Sequence, residues 1–289
     1  MNRINLQVMK RLALLITLVL PLMAWSQTSR QKAKLYGENA YLSRGWQFAP
    51  GITLMPGVSG NRFETLRGEG ELSNDTIYSG RFDPGSRIGF YAEVGRHKFL
   101  EDLYLIHHMD YGIHFKMLRG KEQFAGVVSD GSALVETTNR ATFSESSIGA
   151  FFNISNIIQV ADRVWLHNSL GLNFDYRIIS NRSASGFYGA IPQKFPDPML
   201  FQLHYKLGFG WKADPGLYFM PSIETPILNL FPNFDGKSTL NYFSSEHRIL
   251  IISLKVMFLD KTADRKCVGK DGSGSKPQLW GKEMRKYNR

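Results

Sequence analysis

The stretch Met199–Trp211, MLFQLHYKLGFGW, decides the fold. Met199, Phe201, Leu203, Tyr205, Leu207, Phe209 and Trp211 are all apolar or aromatic, and Gln202, His204, Lys206, Gly208 and Gly210 alternate with them. Side chains two apart project from the same side of an extended chain, so this is a strand with one greasy and one polar face. The same split recurs upstream. Leu170, Leu172, Phe174, Tyr176 and Ile178 oppose Ser169, Gly171, Asn173, Asp175 and Arg177, and Ile148, Ala150, Phe152 and Ile154 oppose Ser147, Gly149 and Asn153. Met109, Tyr111, Ile113, Phe115 and Met117 oppose Asp110, Gly112, His114 and Lys116, and Ile88, Phe90, Ala92 and Val94 oppose Gly89, Tyr91, Glu93 and Gly95. With Trp46–Pro56, Leu217–Pro226 and Arg248–Phe258 the pattern predicts about eight strands. Pro50, Pro221 and Pro226 each remove a ladder hydrogen bond, which makes the first and seventh strands the weakest of the set.

Period two also fits a soluble sandwich, and two features separate the alternatives. The polar faces carry Glu93, Asp110, His114, Lys116, Asp175, Arg177, His204, Lys206, Glu224 and Lys255 among Gly, Ser and Asn. A barrel of about eight strands encloses such groups as a paired polar lumen. The connections also alternate in length. Those near His97–Asp102, Ser155–Arg163 and Ala213–Gly216 are short, and those near Gly57–Gly85, Arg119–Thr142, Ser180–Pro198 and Leu230–His247 are long. Short turns on one side and long loops on the other mark a transmembrane barrel of the outer-membrane kind. An even strand number then places both termini in the periplasm. Trp46, Phe48, Trp165, Trp211, Phe219 and Phe258 lie near strand ends, where interfacial aromatic girdles form.

Compartment is read from the N-terminus. Lys10 and Arg11 precede an apolar run from Leu12 to Leu22, and Ala24 and Ser26 suit cleavage before Gln27. Residues 1–26 therefore read as a signal peptide, too short in its apolar part for a membrane anchor. A mean hydropathy of −0.22 accords with helices not being the spanning elements, because a barrel strand needs apolar residues only at alternate positions. The formal charge of +10 in an exported chain points to lipopolysaccharide phosphates or an acidic protein partner, and not to nucleic acid. The division that follows is 27–45 as a periplasmic N-terminal segment, 46–259 as the barrel and 260–289 as a basic periplasmic tail.

These features resemble the outer-membrane β-barrel superfamily of Gram-negative bacteria, the small OmpA-like and OmpX-like barrels. The resemblance covers about Trp46 to Phe258 and rests on the leader, the alternation, the loop asymmetry and the aromatic Phe258 at the end of the last strand. It implies an all-β antiparallel barrel, insertion directed by the terminal strand, and no catalytic signature. The chain departs from OmpA-like proteins beyond Phe258, where the tail does not resemble their peptidoglycan-binding domain. The Trp25-Ser26-Gln27 ending of the leader is similar to barrels of bacteria that use type IX secretion, where such proteins can be subunits of secretion or outer-membrane assembly machines.

The tail Asp260–Arg289 has nine Lys or Arg against four Asp or Glu and is too polar to form a core alone. Leu279, Trp280, Met284 and Tyr287 offer apolar anchors, and Lys282, Arg285 and Lys286 offer charge contacts, for a periplasmic or outer-membrane protein partner. Cys267, the one cysteine, is a candidate for an intermolecular disulfide in an oxidising compartment. Two constellations invite chemistry. Some small outer-membrane barrels hydrolyse lipids with a His and Ser pair, but His167 and Ser169 share the face of Asn173, Asp175 and Arg177, which points them into the lumen and away from lipid, and no adjacent carboxylate orients the histidine. His108, Asp110 and His114 also share a face and could ligate a metal, although neighbouring charges such as Lys116 favour salt bridges. Gly149, Gly171, Gly208 and Gly210 relieve crowding in a narrow lumen. The reading is a barrel without catalytic residues, metal or cofactor, acting as anchor or accessory subunit of an envelope complex. A narrow porin-like pore and a lipid-modifying enzyme are the alternatives.

Overall fold

The computed structural model describes residues 41–58, 66–67, 77–100, 105–129, 134–161, 163–185, 198–230 and 246–261. Its frame is a ring of eight antiparallel strands: β1 (Tyr41–Leu54), β2 (Gly89–Phe99), β3 (His108–Ser129), β4 (Leu134–Ala161), β5 (Val164–Ala184), β6 (Met199–Asp214), β7 (Leu217–Asn229) and β8 (Leu250–Lys261). Sequence neighbours pair throughout, and β1 closes the ring on β8 with Trp46 opposite Phe258 and Ile52 opposite Ile252. Closure matters because an open sheet edge would leave unpaired N–H and C=O groups, which lipid cannot satisfy.

All the expected strands are present and in the expected phase. Glu93, Asp110, His114, Lys116, Asp175, His204, Lys206 and Lys255 are buried inside, while Phe90, Ile113, Phe174, Phe209 and Leu254 are exposed outside. The proline-bearing strands hold as well. Pro50 stands opposite Ala92 and Pro221 opposite Leu254, both on the outer face, and the strands run through them. At Pro226 the ladder between β6 and β7 is irregular as far as Leu228.

Three expectations change. The first strand begins at Tyr41, inside the segment assigned to an N-terminal stretch, and Gly45 already sits opposite Leu259 and His97. Trp165 does not join an outer girdle. Its odd position on β5 has the inward phase of His167 and Asn173, so its indole is fully buried in the lumen. Finally, much of two expected loops is strand. Pairing of β3 with β4 continues unbroken from His108–Ser155 to Ser129–Leu134, so Arg119–Ser129 and Leu134–Thr142 are paired strand. The strand Ile77–Arg87 adds to its edge, with Arg87 opposite Arg119 and Phe82 opposite Phe124. This extension, with the upper part of β5, forms a crown beyond the end of the barrel opposite to Tyr41 and Lys261. The connection between β6 and β7 at the other end is tight. At Asp214-Pro215-Gly216-Leu217, Gly216 has φ 81°, the value a type II turn needs after proline at its second position.

Candidate functional site in the barrel lumen

The parity that buries one face of each strand sends its charged side chains into a space only wide enough for side chains. There they form a network of ion pairs and hydrogen bonds, with Asp175, His114 and Lys116 as a separate set beside it. The Lys255 ammonium donates to Asp110 Oδ2 and lies 3.1 Å from Glu93 Oε1. Glu93 Oε2 accepts from Lys206 at 3.2 Å and from the Tyr91 hydroxyl at 2.8 Å. Lys206 reaches on to Glu224 at 2.8 Å, and Glu224 lies 2.7 Å from His204 and accepts from Asn173 at 3.0 Å. Gln47 bridges the first two carboxylates, donating to Glu93 at 2.9 Å and Asp110 at 2.8 Å. Asp175 takes Lys116 at 2.8 Å and His114 at 2.5 Å. Burial of one charge without partners is costly, so each of these groups is tied to an opposite charge.

Two apolar clusters lie above and below. Toward the termini are Phe99, Ile157, Trp165, Tyr218, Met220, Met257 and Leu259. Toward the crown are Met55, Tyr91, Leu118, Phe143, Ile249 and Ile251. The glycines expected to relieve crowding do so: a Cβ on Gly210 would overlap the Trp165 indole, and one on Gly149 would meet His114 and Asp175.

Most of the predicted lumen residues are brought together here. Arg177 is the exception. A bulge opposite Ser146 and Ser147 lifts it to the crown-side mouth, where it pairs with Glu145 at 3.0 Å, apart from the network. Gln47, Tyr91, Asn153 and Asn173 belong to the network although they carry no charge to single them out; their inward phase is the signal the sequence offers. The triplet His108, Asp110 and His114 is divided, because His114 turns to Asp175 while His108 stays with Asp110. His167 and Ser169 find separate partners. His167 Nε2 lies 3.5 Å from His108 Nδ1, and the Ser169 hydroxyl donates to the Ile154 carbonyl at 3.2 Å. The tail candidates Cys267, Leu279, Trp280, Lys282, Met284, Arg285, Lys286 and Tyr287 lie outside the described residues.

Outside the ring the polarity is reversed. Trp46 is 54% exposed and Phe258 51%, whereas Lys255 is 0% exposed. An apolar exterior around a charged interior is stable in lipid and not in water, so the chain is a membrane-spanning β-barrel with a filled lumen. No protein-family model and no curated protein matches the sequence. Among solved structures it is similar to the attachment invasion locus protein Ail of Yersinia pestis, there in complex with the heparin analogue sucrose octasulfate. The identity is 11%, the TM-score 0.27, and the match covers 76% of this chain and 100% of that one. It is also similar to the outer membrane protein OprG from Pseudomonas aeruginosa, at 9% identity and a TM-score of 0.36, over 76% of this chain and 95% of that one.

Proposed function

We propose that this protein is a non-enzymatic outer-membrane barrel that serves as anchor or accessory subunit of an envelope complex, of the secretion or outer-membrane assembly kind. The observation that carries the reading is the filled lumen. Ion pairs linking strands across the ring, capped by two apolar clusters, leave the barrel nothing to conduct, so its work lies at its two ends. In planar bilayers the purified protein is expected to give no steady conductance. A reproducible open level would overturn the reading in favour of the narrow pore.

In this reading the crown faces outward and both termini the periplasm. The outer face of the crown supports that orientation. Arg87 stands opposite Arg119, Lys121 lies two residues further along on the same face, and Arg140 pairs with Gln123. Like charges directly opposite on a ladder repel, and they sit just above the apolar Met117 and Ile88, where an outer leaflet presents lipopolysaccharide phosphates. On the other side the tail 260–289 supplies the contact with a protein partner through Trp280 and its basic neighbours. Deleting 276–289 is expected to leave the barrel folded and heat-modifiable while a partner is lost from affinity purifications of detergent-solubilised membrane. Unchanged co-purification would remove the tail from the proposal.

A further inference from the structure

At the end of the ring that carries the termini, the outer surface of β1, β2 and β8 holds more positive charge than its own ladder balances. Arg44 on β1 stands directly opposite Lys98 on β2, and two residues along the same face Arg96 stands opposite Trp46. Arg44 and Lys98 are exposed, in the outward phase of Trp46 and Phe258. Like charges opposite each other on a ladder repel, so this pairing calls for a counter-charge. Asp260 supplies a part of it. Its Oδ2 accepts from Arg96 at 2.8 Å and lies 4.0 Å from Arg44 Nε, the outer limit of an ion pair. Lys98 makes no ion pair with any of the described residues. The flanking sequence adds cations on balance: Arg30, Lys32 and Lys34 precede β1 against Glu38, and the nine Lys or Arg of the tail 260–289 against its four Asp or Glu outweigh Glu101 and Asp102 after β2.

The height of these cations on the barrel is a second observation. Trp46, Phe258 and Tyr111 are 54%, 51% and 50% exposed, Trp46 pairs with Phe258, and Tyr111 pairs with Arg96. Tryptophan and tyrosine on the outside of a barrel lie at the level of the lipid headgroups. Arg44 and Lys98 stand one step of the face beyond them, about 6.5–7 Å toward water, where lipid phosphates lie. Arg96 is already held in place. Its guanidinium lies 4.7 Å over the Trp46 ring while it donates to Asp260.

We infer that Arg44, Arg96 and Lys98 form a binding site for the headgroup phosphate of an anionic glycerophospholipid, whose acyl chains run down over Trp46 and Phe258. A guanidinium presents a fork of donors to phosphate oxygens and an ammonium adds a point charge, so one phosphate between Arg44 and Lys98 turns their repulsion into two attractions. The three cations and Asp260 leave two positive charges in excess. That excess selects lipids of net negative charge, because a zwitterionic headgroup brings its own ammonium against the same cations. The choice of a glycerophospholipid rests on the orientation proposed above, in which this end meets the periplasmic leaflet.

The test uses the full chain folded into phosphatidylcholine vesicles that carry a small, equal fraction of brominated phosphatidylglycerol or brominated phosphatidylcholine. Bromine on the acyl chains quenches tryptophan on contact, and subtracting the signal of W46F isolates Trp46. The quenching of Trp46 is expected to correspond to an enrichment of phosphatidylglycerol of at least about fivefold, roughly what one interfacial cation confers. R44Q/K98Q is expected to lose that preference. R163Q, which removes an exposed cation from the same end beside β5, across the ring from β1, is expected to keep it. Inorganic phosphate at constant ionic strength is expected to leave it unchanged. Equal quenching by the two lipids in the wild type overturns the site, as does a preference that survives R44Q/K98Q. A loss just as large in R163Q would reduce the effect to general surface charge, and displacement by inorganic phosphate would give the site to a free ion; either result overturns the proposal. If R44Q/K98Q lacks the gel shift of the folded form, R44Q and K98Q singly take its place, each expected to lose at least about half of the enrichment. The vesicles read the site whichever way the barrel sits in the cell, so failure here tells against the site and leaves the proposed orientation standing.

Discussion

Replacing Lys255 by Met is expected to destabilise the barrel by about 3–5 kcal/mol, more than any exposed substitution, although the two side chains are of similar size. Lys255 is the cation between Asp110 and Glu93. Without it, two buried carboxylates face each other with Gln47 as their shared donor, and Lys206 must serve Glu93 and Glu224 alone. The loss comes chiefly from leaving a buried charge uncompensated, and much less from the intrinsic worth of the pair. Two consequences distinguish this from simple loss of packing. The double variant K255M/D110N, which also removes one of the carboxylates, is expected to recover a substantial part of the loss. Lys98→Met, on the exposed face of β2, is expected to stay within about 0.5 kcal/mol of wild type. Urea unfolding in lipid vesicles, followed by tryptophan fluorescence and by the gel shift of the folded form, measures all three. A K255M barrel as stable as wild type would mean that the network does not hold the ring together.

That Lys255 belongs inside is legible in the sequence, because the parity of Leu250, Ile252, Leu254 and Phe258 leaves it no other direction. Its partners are not. Lys255 on the last strand meets Asp110 on the third across the lumen, and strand alternation says nothing about residues on strands that do not pair. The same limit explains the histidines. On one strand His108, Asp110 and His114 look like a set, but two residues along a strand span about 6.5–7 Å, while the lumen brings His97 and His167 to His108 from other strands.

The crown is hidden for another reason. In the membrane one face must be apolar and the other can be polar, which writes the period into the sequence. Past Met117 the outward positions Arg119, Lys121 and Gln123 are polar, and Glu122 between them is polar and buried. The alternation therefore disappears although the strand continues. What persists is the inward series Leu118, Phe124 and Phe143, all buried, with Phe82 packed on Phe124 at 4.9 Å between ring centroids. A sparse aromatic repeat of this kind is the only trace such a ribbon leaves. Trp165 is the opposite case, since its nearness to a strand end suggests a girdle while its phase points inward.

Trp165 is also where the largest packing effect is expected. Its indole fills the lumen at the level of Phe99, Tyr218 and Met220, with its ring 5.5 Å from that of Tyr218. It does so by lying over Gly210, across the ladder from Trp165 itself, in the volume a Cβ would occupy. Trp165→Ala is expected to cost about 3–5 kcal/mol, the usual loss when a large buried aromatic is emptied. Gly210→Val alone forces the indole out of its place and is expected to cost about 1–3 kcal/mol or somewhat more, because β5 and β6 are fixed by the ladder and cannot move apart. Together the changes should not add. With the indole gone, the valine methyl groups enter the space it left, so W165A/G210V is expected to be more stable than the sum of the single losses predicts by at least about 1 kcal/mol. The cycle is read from urea midpoints using the gel shift of the folded form, since W165A removes part of the fluorescence signal. Strict additivity would show that the glycine and the tryptophan are not one packing unit, and that the narrow end of this barrel is filled in some other way.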